Sequence, residues 1–220
     1  MLSKISVLIP TRRRLDRLGI LLSSYAATVG DEAHLSELIF RVDDDDHATQ
    51  EFLSAHQVLV GPRYQGYRSL PTFFNELAAV AQGDVVMCGN DDMIFRTPCW
   101  ASVILTKANE FADGLFDIGV HTHNELHYPF AVVSKKVVDE LGFLFDPQIF
   151  WGDIYLRDVM GHLGRCVMLP EVEIDHDWVG YSPDSVFIEG EGARRSNWMG
   201  AIHEQAVARA VTKLRELMIA

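Results

Sequence analysis

The chain has 220 residues, 48% hydrophobic and 23% charged, a balance that excludes a disordered or fibrous protein and supplies apolar material for one sizeable core. Its 31 acidic residues outnumber 19 Lys and Arg, and the formal charge of −12 argues against duplex nucleic acid or an anionic membrane as partner, since phosphates need clustered cations. The three cysteines, Cys88, Cys99 and Cys166, are isolated, which argues against both a zinc knuckle and a disulfide framework.

Residues 4–10 form a short β-branched run stopped by Pro10 and predict a buried strand. No signal-peptide pattern precedes it, and no apolar stretch approaches the roughly 20 residues that span a bilayer, so the expectation is a cytoplasmic protein. Leu15, Leu18, Leu22 and Tyr25 then recur at helical spacing. A second strand over 38–42 runs into Asp43-Asp44-Asp45-Asp46, followed by a short helix over 49–56 and a third strand over 57–60. Leu70, Phe73, Phe74, Leu77 and Val80 mark a helix over 70–81; Gly83 ends it, and 84–88 is a fourth strand entering Gly89-Asn90-Asp91-Asp92. Beyond this the pattern is less regular. It predicts a helix over 98–112, strands over 116–120 and 130–133, and a helix capped by Ser134 and ending at 141. A helix over 154–163, a strand over 165–175 broken at Pro170, a Gly- and Ser-rich loop over 180–197 and a helix over 199–217 complete the chain.

Strands alternating with helices predict a single α/β domain, a mainly parallel sheet with helices on both faces, whose ligands bind beyond the carboxyl ends of the strands. The first, second and fourth strands all end there in polar clusters: Thr11-Arg12-Arg13-Arg14, the four-Asp run, and Asn90-Asp91-Asp92. Adjacent carboxylates at a sheet edge repel unless a cation neutralises them, and oxygen ligands suit Mg²⁺ or Mn²⁺; the competing reading is a solvated turn. The four-Asp run lacks the alternating spacing and glycine of a calcium loop, so one functional Asp in a solvated loop is expected.

The order strand-Pro10-Thr11-Arg12, strand-Asp43-Asp44, a helix carrying Asn75, Gly83-Asp84, an apolar strand and an Asp pair resembles the nucleotide-binding half of glycosyltransferase family 2, which has the Rossmann-like GT-A fold. Glu140-Leu141-Gly142-Phe143-Leu144-Phe145-Asp146 with Phe150-Trp151-Gly152-Asp153-Ile154-Tyr155-Leu156-Arg157 is similar to a later block of that family, so the resemblance spans residues 4–177. It implies a transferase that moves a sugar from a nucleotide-diphosphate donor, a UDP-sugar by default, with Mn²⁺ or Mg²⁺ as divalent metal. It also implies a nucleotide-binding half over about 1–95, an acceptor and catalytic half over about 96–198, and a C-terminal helix over 199–220.

By residue, the resemblance implies that Pro10, Thr11 and Arg12 line the base and ribose pocket, that Asp43 or Asp44 contacts the base, and that Arg68 contacts the nucleotide. Asp91 serves the ribose and metal motif, Asp92 and His176 are the metal ligands, and Asp153 is the general base of an inverting displacement. Locally, Asp153 also reads as a first-turn helix acid and His176 as a sheet-edge histidine. Two positions depart from the family: Asn90 stands where relatives carry the first Asp of Asp-x-Asp, and Gly152 where they carry Glu. One base suffices for direct displacement.

Arg194-Arg195 is a candidate pair to close over the diphosphate, against two exposed arginines. Trp151, Trp178, Tyr181 and Trp198 gather around the late motifs and suit either sugar stacking or core filling. His121-Thr122-His123 puts two imidazoles on one strand face; a transition-metal site there needs further ligands, so Trp151, His121 and His123 are candidates for an acceptor rim, with plain surface residues the leading reading of the two histidines. A nucleotidyltransferase is disfavoured because the loop after the first strand has no glycine or lysine. A catalytically silent nucleotide-sugar or glycan-binding module is the alternative from another class. The acceptor is expected to be soluble, and the apolar face of the last helix could serve a homodimer.

Overall fold

The central strands are apolar on both sides, and this decides the architecture. The computed structural model describes residues 1–64, 69–123, 129–149, 151–177 and 200–219. Its strands β1 (Ile5–Thr11), β2 (Ser36–Asp43) and β4 (Val85–Cys88) send alternate side chains into two separate cores. Val7, Ile9, Phe40, Val42 and Met87 enter one core, and Leu8, Ile39, Val86 and Cys88 enter the other. A strand buried on both faces needs helices on both, the condition that parallel crossovers meet.

The first core takes α1 (Leu15–Val29) through Leu18 and Leu21, and α4 (Trp100–Ala108) through Trp100 and Ile104. The second takes α3 (Ser69–Val80), α5 (Lys135–Leu141), α6 (Gly152–His162) and α7 (Ala201–Ile219), through Phe74, Val137, Tyr155 and Val207 among others. Alpha-helix α2 (His47–Phe52) and strand β3 (Gln57–Gly61) complete the first half. Strands β5 (Met93–Phe95), β6 (Asp117–His121), β7 (Val132–Ser134) and β8 (Cys166–His176) complete the sheet, in the order β3-β2-β1-β4-β7-β6-β8-β5. The pairs β1–β2, β1–β4, β2–β3 and β6–β8 are parallel, whereas β7 runs antiparallel to β4 and β6, and β5 to β8.

The predicted α/β arrangement with helices on both faces is the observed one, with local differences. Residues 30–35 form a 3₁₀ turn and residues 93–95 a strand, both too short to show a periodicity. Alpha-helix α4 is shorter than expected because Cys99, at φ 57°, breaks the backbone before it and Asn109 ends it. The expected break at Pro170 is a bulge: the β6–β8 register passes from Val120↔Leu169 to His121↔Glu173. The Ser134 cap forms as expected, accepting from Val137 N at 3.3 Å, and Gly142 at φ 86° closes α5 by donating to Val138 O at 2.8 Å. Among the described residues no helix is long and apolar enough to cross a membrane.

The two halves are tied by Asn75 of α3. Its Nδ2 donates to Phe145 O at 2.8 Å, while its Oδ1 accepts from Leu144 N at 2.8 Å and Phe145 N at 2.9 Å. One side chain thus holds the backbone that leads into α6.

Candidate functional site

Strands β1, β2 and β4 end side by side, and a sharp turn after β1 distributes its arginines between the other two. Arg13 sits at φ 55°, an uncommon conformation for a non-glycine residue that costs on the order of 1–3 kcal/mol. It is held there by its N–H, which donates to Asp46 Oδ2 at 2.8 Å and Thr49 Oγ1 at 3.2 Å. Arg12 thereby reaches the end of β2 and Arg14 the loop after β4.

At the end of β2 the four aspartates have separate tasks, where a solvated loop around one of them was expected. Buried Asp43 accepts from Arg12 Nη1 at 2.8 Å and Arg41 Nη1 at 3.1 Å. The Asp44 side chain is exposed, and its N–H donates to Gly61 O at 2.8 Å. Asp45 binds Arg12 through both carboxylate oxygens, and those hydrogen bonds lower its pKa to about 2. Buried Asp46 caps α2 by accepting from Thr49 N. Pro10 is half-buried and Thr11 buried between the strands.

Arg41, which the sequence reading passed over, organises this corner. It is 1% exposed, donates to Glu76 Oε2 at 2.8 Å and Pro62 O at 2.6 Å, and lies 4.7 Å from the Phe73 ring centroid. A Cβ on Gly61 would approach Arg41 Nη2 to 2.9 Å, so the glycine makes room for the guanidinium. An arginine inside the apolar run Leu38-Ile39-Phe40-Arg41-Val42 was the available signal.

After β4 the two adjacent aspartates diverge. Asp91 is buried, accepting from Thr11 Oγ1 at 2.8 Å and Arg14 Nη1 at 2.9 Å. Burial raises its pKa, against the opposing pull of Arg14. Asp92 Oδ1 lies 3.1 Å from His176 Nε2, yet it is buried and accepts no aligned hydrogen bond. Asn90 Nδ2 lies 3.4 Å from the same imidazole nitrogen, and Phe130 packs edge-on to the ring at 5.7 Å. The antiparallel pairing Met93↔His176 produces this meeting, and Asp177 N fastens it by donating to Asp92 O at 2.9 Å. Asp177 in turn pairs with Arg17. Arg14 and Arg17, one helical turn apart at the start of α1, could have been singled out from that spacing.

Asp153 occupies the first turn of α6, with Trp151 at its N-cap. Its charge reaches the end of β4 and raises the thiol pKa of Cys88, to which burial contributes more. It acts likewise on Asp117. Gly152 has a packing reason, because a Cβ built there would overlap the Phe145 ring. A second carboxylate beside Asp153 therefore does not fit this backbone. His121 and His123 sit at the end of β6, their rings 5.7 Å apart, beside Glu173 and not beside Asp92. Arg68, Trp178, Tyr181, Arg194, Arg195 and Trp198 lie outside the described residues.

No family model matches the sequence, and no curated protein matches it. Solved structures do. The mannosyltransferase PcManGT from Pyrobaculum calidifontis, in complex with GDP-Man and Mn²⁺, matches with TM-score 0.65 and 12% identity over 100% of this chain and 76% of its own. S. aureus TarS 1–349 in complex with UDP matches with TM-score 0.56 and 13% identity over 94% and 81%, respectively. In the structure of S. aureus TarS, where the TM-score is 0.59 and the identity 12%, the match covers 96% of this chain and 43% of that one. The shared fold is the GT-A-like fold of these nucleotide-sugar transferases.

Proposed function

We propose that the chain is a glycosyltransferase that takes a nucleoside-diphosphate sugar as donor, uses a divalent cation, and transfers the sugar to an acceptor hydroxyl with inversion. The observation that carries this reading is the Asp92–His176 pair. A buried carboxylate oxygen without an aligned hydrogen bond, facing an imidazole nitrogen at 3.1 Å, is a donor set that Mn²⁺ fits better than the oxygen-preferring Mg²⁺. The fold it sits on is shared with a mannosyltransferase solved with GDP-Man and Mn²⁺. The chemistry such a cation supplies is charge for the departing diphosphate.

The remaining roles belong to the chain. Arg12 and Asp43 frame the base, with Asp43 held by buried Arg41 so that its position survives without ligand. Asp91, kept by Thr11 and Arg14, faces the ribose side. Asp153, the single carboxylate that the Gly152–Phe145 packing admits, accepts the proton of the acceptor hydroxyl.

Calorimetric titration with UDP, GDP, CDP and dTDP, with and without Mn²⁺, tests the donor site. One diphosphate is expected to bind with Mn²⁺ and to weaken roughly a hundredfold in Asp92→Ala. No binding of any diphosphate under any condition would sink the transferase reading. Asp153→Asn is expected to cut transfer about 10²–10⁴-fold while donor affinity stays unchanged; undiminished transfer removes Asp153 as base.

A further inference from the structure

The β6–β8 pairing brings acidic partners to the two histidines of His121-Thr122-His123. His121 is the register partner of Glu173, and His123 Nδ1 lies 3.1 Å from Glu173 Oε1. Ligand atoms of His123, Glu173 and Asp175 all lie within 4.8 Å of one another. Asp175 is steered into this cluster from behind: Arg96 Nε donates to its Oδ2 at 2.7 Å, while its Oδ1 accepts from His123 N at 3.4 Å. The His121 ring stands edge-on to that of His123.

We propose that this cluster, at the carboxyl ends of β6 and β8, is a second metal site that takes a transition metal of the Zn²⁺ type. His123, Glu173 and Asp175 are its ligands, and His121 is the fourth. Donors about 2.0–2.2 Å from one tetrahedral ion lie about 3.3–3.6 Å apart, so rotation of the His123 and Glu173 side chains, 67% and 33% exposed, toward Asp175 closes the site. Imidazole beside two carboxylates favours Zn²⁺ over Mg²⁺, which prefers oxygen alone. Arg96 is an outer partner of the ligating carboxylate, the arrangement that orients a ligand and tunes its affinity.

The site is separate from the Asp92–His176 pair. Along β8, Val172 and Ile174 enter the core and His176 packs against Phe130, whereas Glu173 and Asp175 alternate with them onto the outer face. The inference therefore stands whether or not a nucleotide binds.

Co²⁺ added to untagged, nucleotide-free full-length chain tests it, with Zn²⁺ as competitor. The expected result is one set of visible d–d bands that Zn²⁺ abolishes, that weakens at least tenfold in affinity in His123→Ala and in Glu173→Gln, and that persists in Asp92→Ala. Three results overturn the proposal: bands retained in the His123→Ala/Glu173→Gln double variant, bands lost in Asp92→Ala, or a sulfur-to-cobalt charge-transfer band that would move the ion to a cysteine. Far-ultraviolet circular dichroism checks each variant's fold, and His121→Ala provides a second surface variant at the same site.

Discussion

Asp43 and Asp117 are both buried aspartates on strands of one sheet, and the chain treats them in opposite ways. Asp43, at the end of β2, takes hydrogen bonds from Arg12 and from the fully buried Arg41. Asp117, at the start of β6, has a buried Oδ1 with no hydrogen-bond partner, and Arg157 reaches it only through charge. Burial raises the Asp117 pKa to about 7, with Asp153 adding to the rise and Arg157 opposing it. A buried carboxylate is either met by guanidinium groups, which fix its charge and its place, or it is left to hold its proton. The end of β2 follows the first course, its carboxylate placed by two arginines of the chain itself; the β6 side follows the second, and its stability is expected to vary with pH.

Removing Arg41 should break the comparison most severely. Arg41→Met leaves Asp43 to Arg12 alone and takes the donor away from Glu76, Val42 O and Pro62 O, and is expected to cost about 3–5 kcal/mol in urea unfolding. An unchanged midpoint would mean that the guanidinium network is not what holds this edge.

Asp117→Asn sharpens the other side. The folded pKa of Asp117 lies above its unfolded value, so its stabilising contribution is fully present below about pH 4 and is lost as pH rises through about 7. The Asn variant should match the parent at pH 4 and exceed it by roughly 2–4 kcal/mol at pH 8. Parallel stability curves would refute the raised pKa. Smallest is Gly152→Ala, whose Cβ meets the Phe145 ring, with an expected loss of about 1–3 kcal/mol in thermal unfolding. Recovery of part of that loss on adding Phe145→Leu would identify the overlap as the cause.

The fold was legible wherever burial wrote a long enough pattern. Apolar runs on β1, β2 and β4 and the helical spacing of Leu70, Phe73, Phe74 and Leu77 need no tertiary knowledge to read. Residues 93–95 are too few for a period, and that strand is the one that carries Asp92 to His176. The candidate site was visible as polar clusters at strand ends, but not its pairings. Nothing local shows that Arg12 turns to Asp45 while Arg14 turns to Asp91, because the left-handed turn at Arg13 decides it. Arg41 and Asp117 were hidden for a similar reason, since each is one polar residue in an apolar stretch whose partners come from other elements.

The bulge in β8 sets a parity for everything beyond it. In an uninterrupted strand Leu169 and Val172 would face opposite ways, yet both lie in the same core, because residues 170–172 are extra relative to β6. From there odd positions face outward, which puts Glu173 and Asp175 on the outer face and leaves Ile174 and His176 inside. Deleting a single residue from 170–172 reverses that parity, turning Ile174 and His176 out and the two carboxylates in. Loss or gain of one residue there is expected to exchange two chemical environments at once, since the same shift moves the carboxylates and the imidazole together.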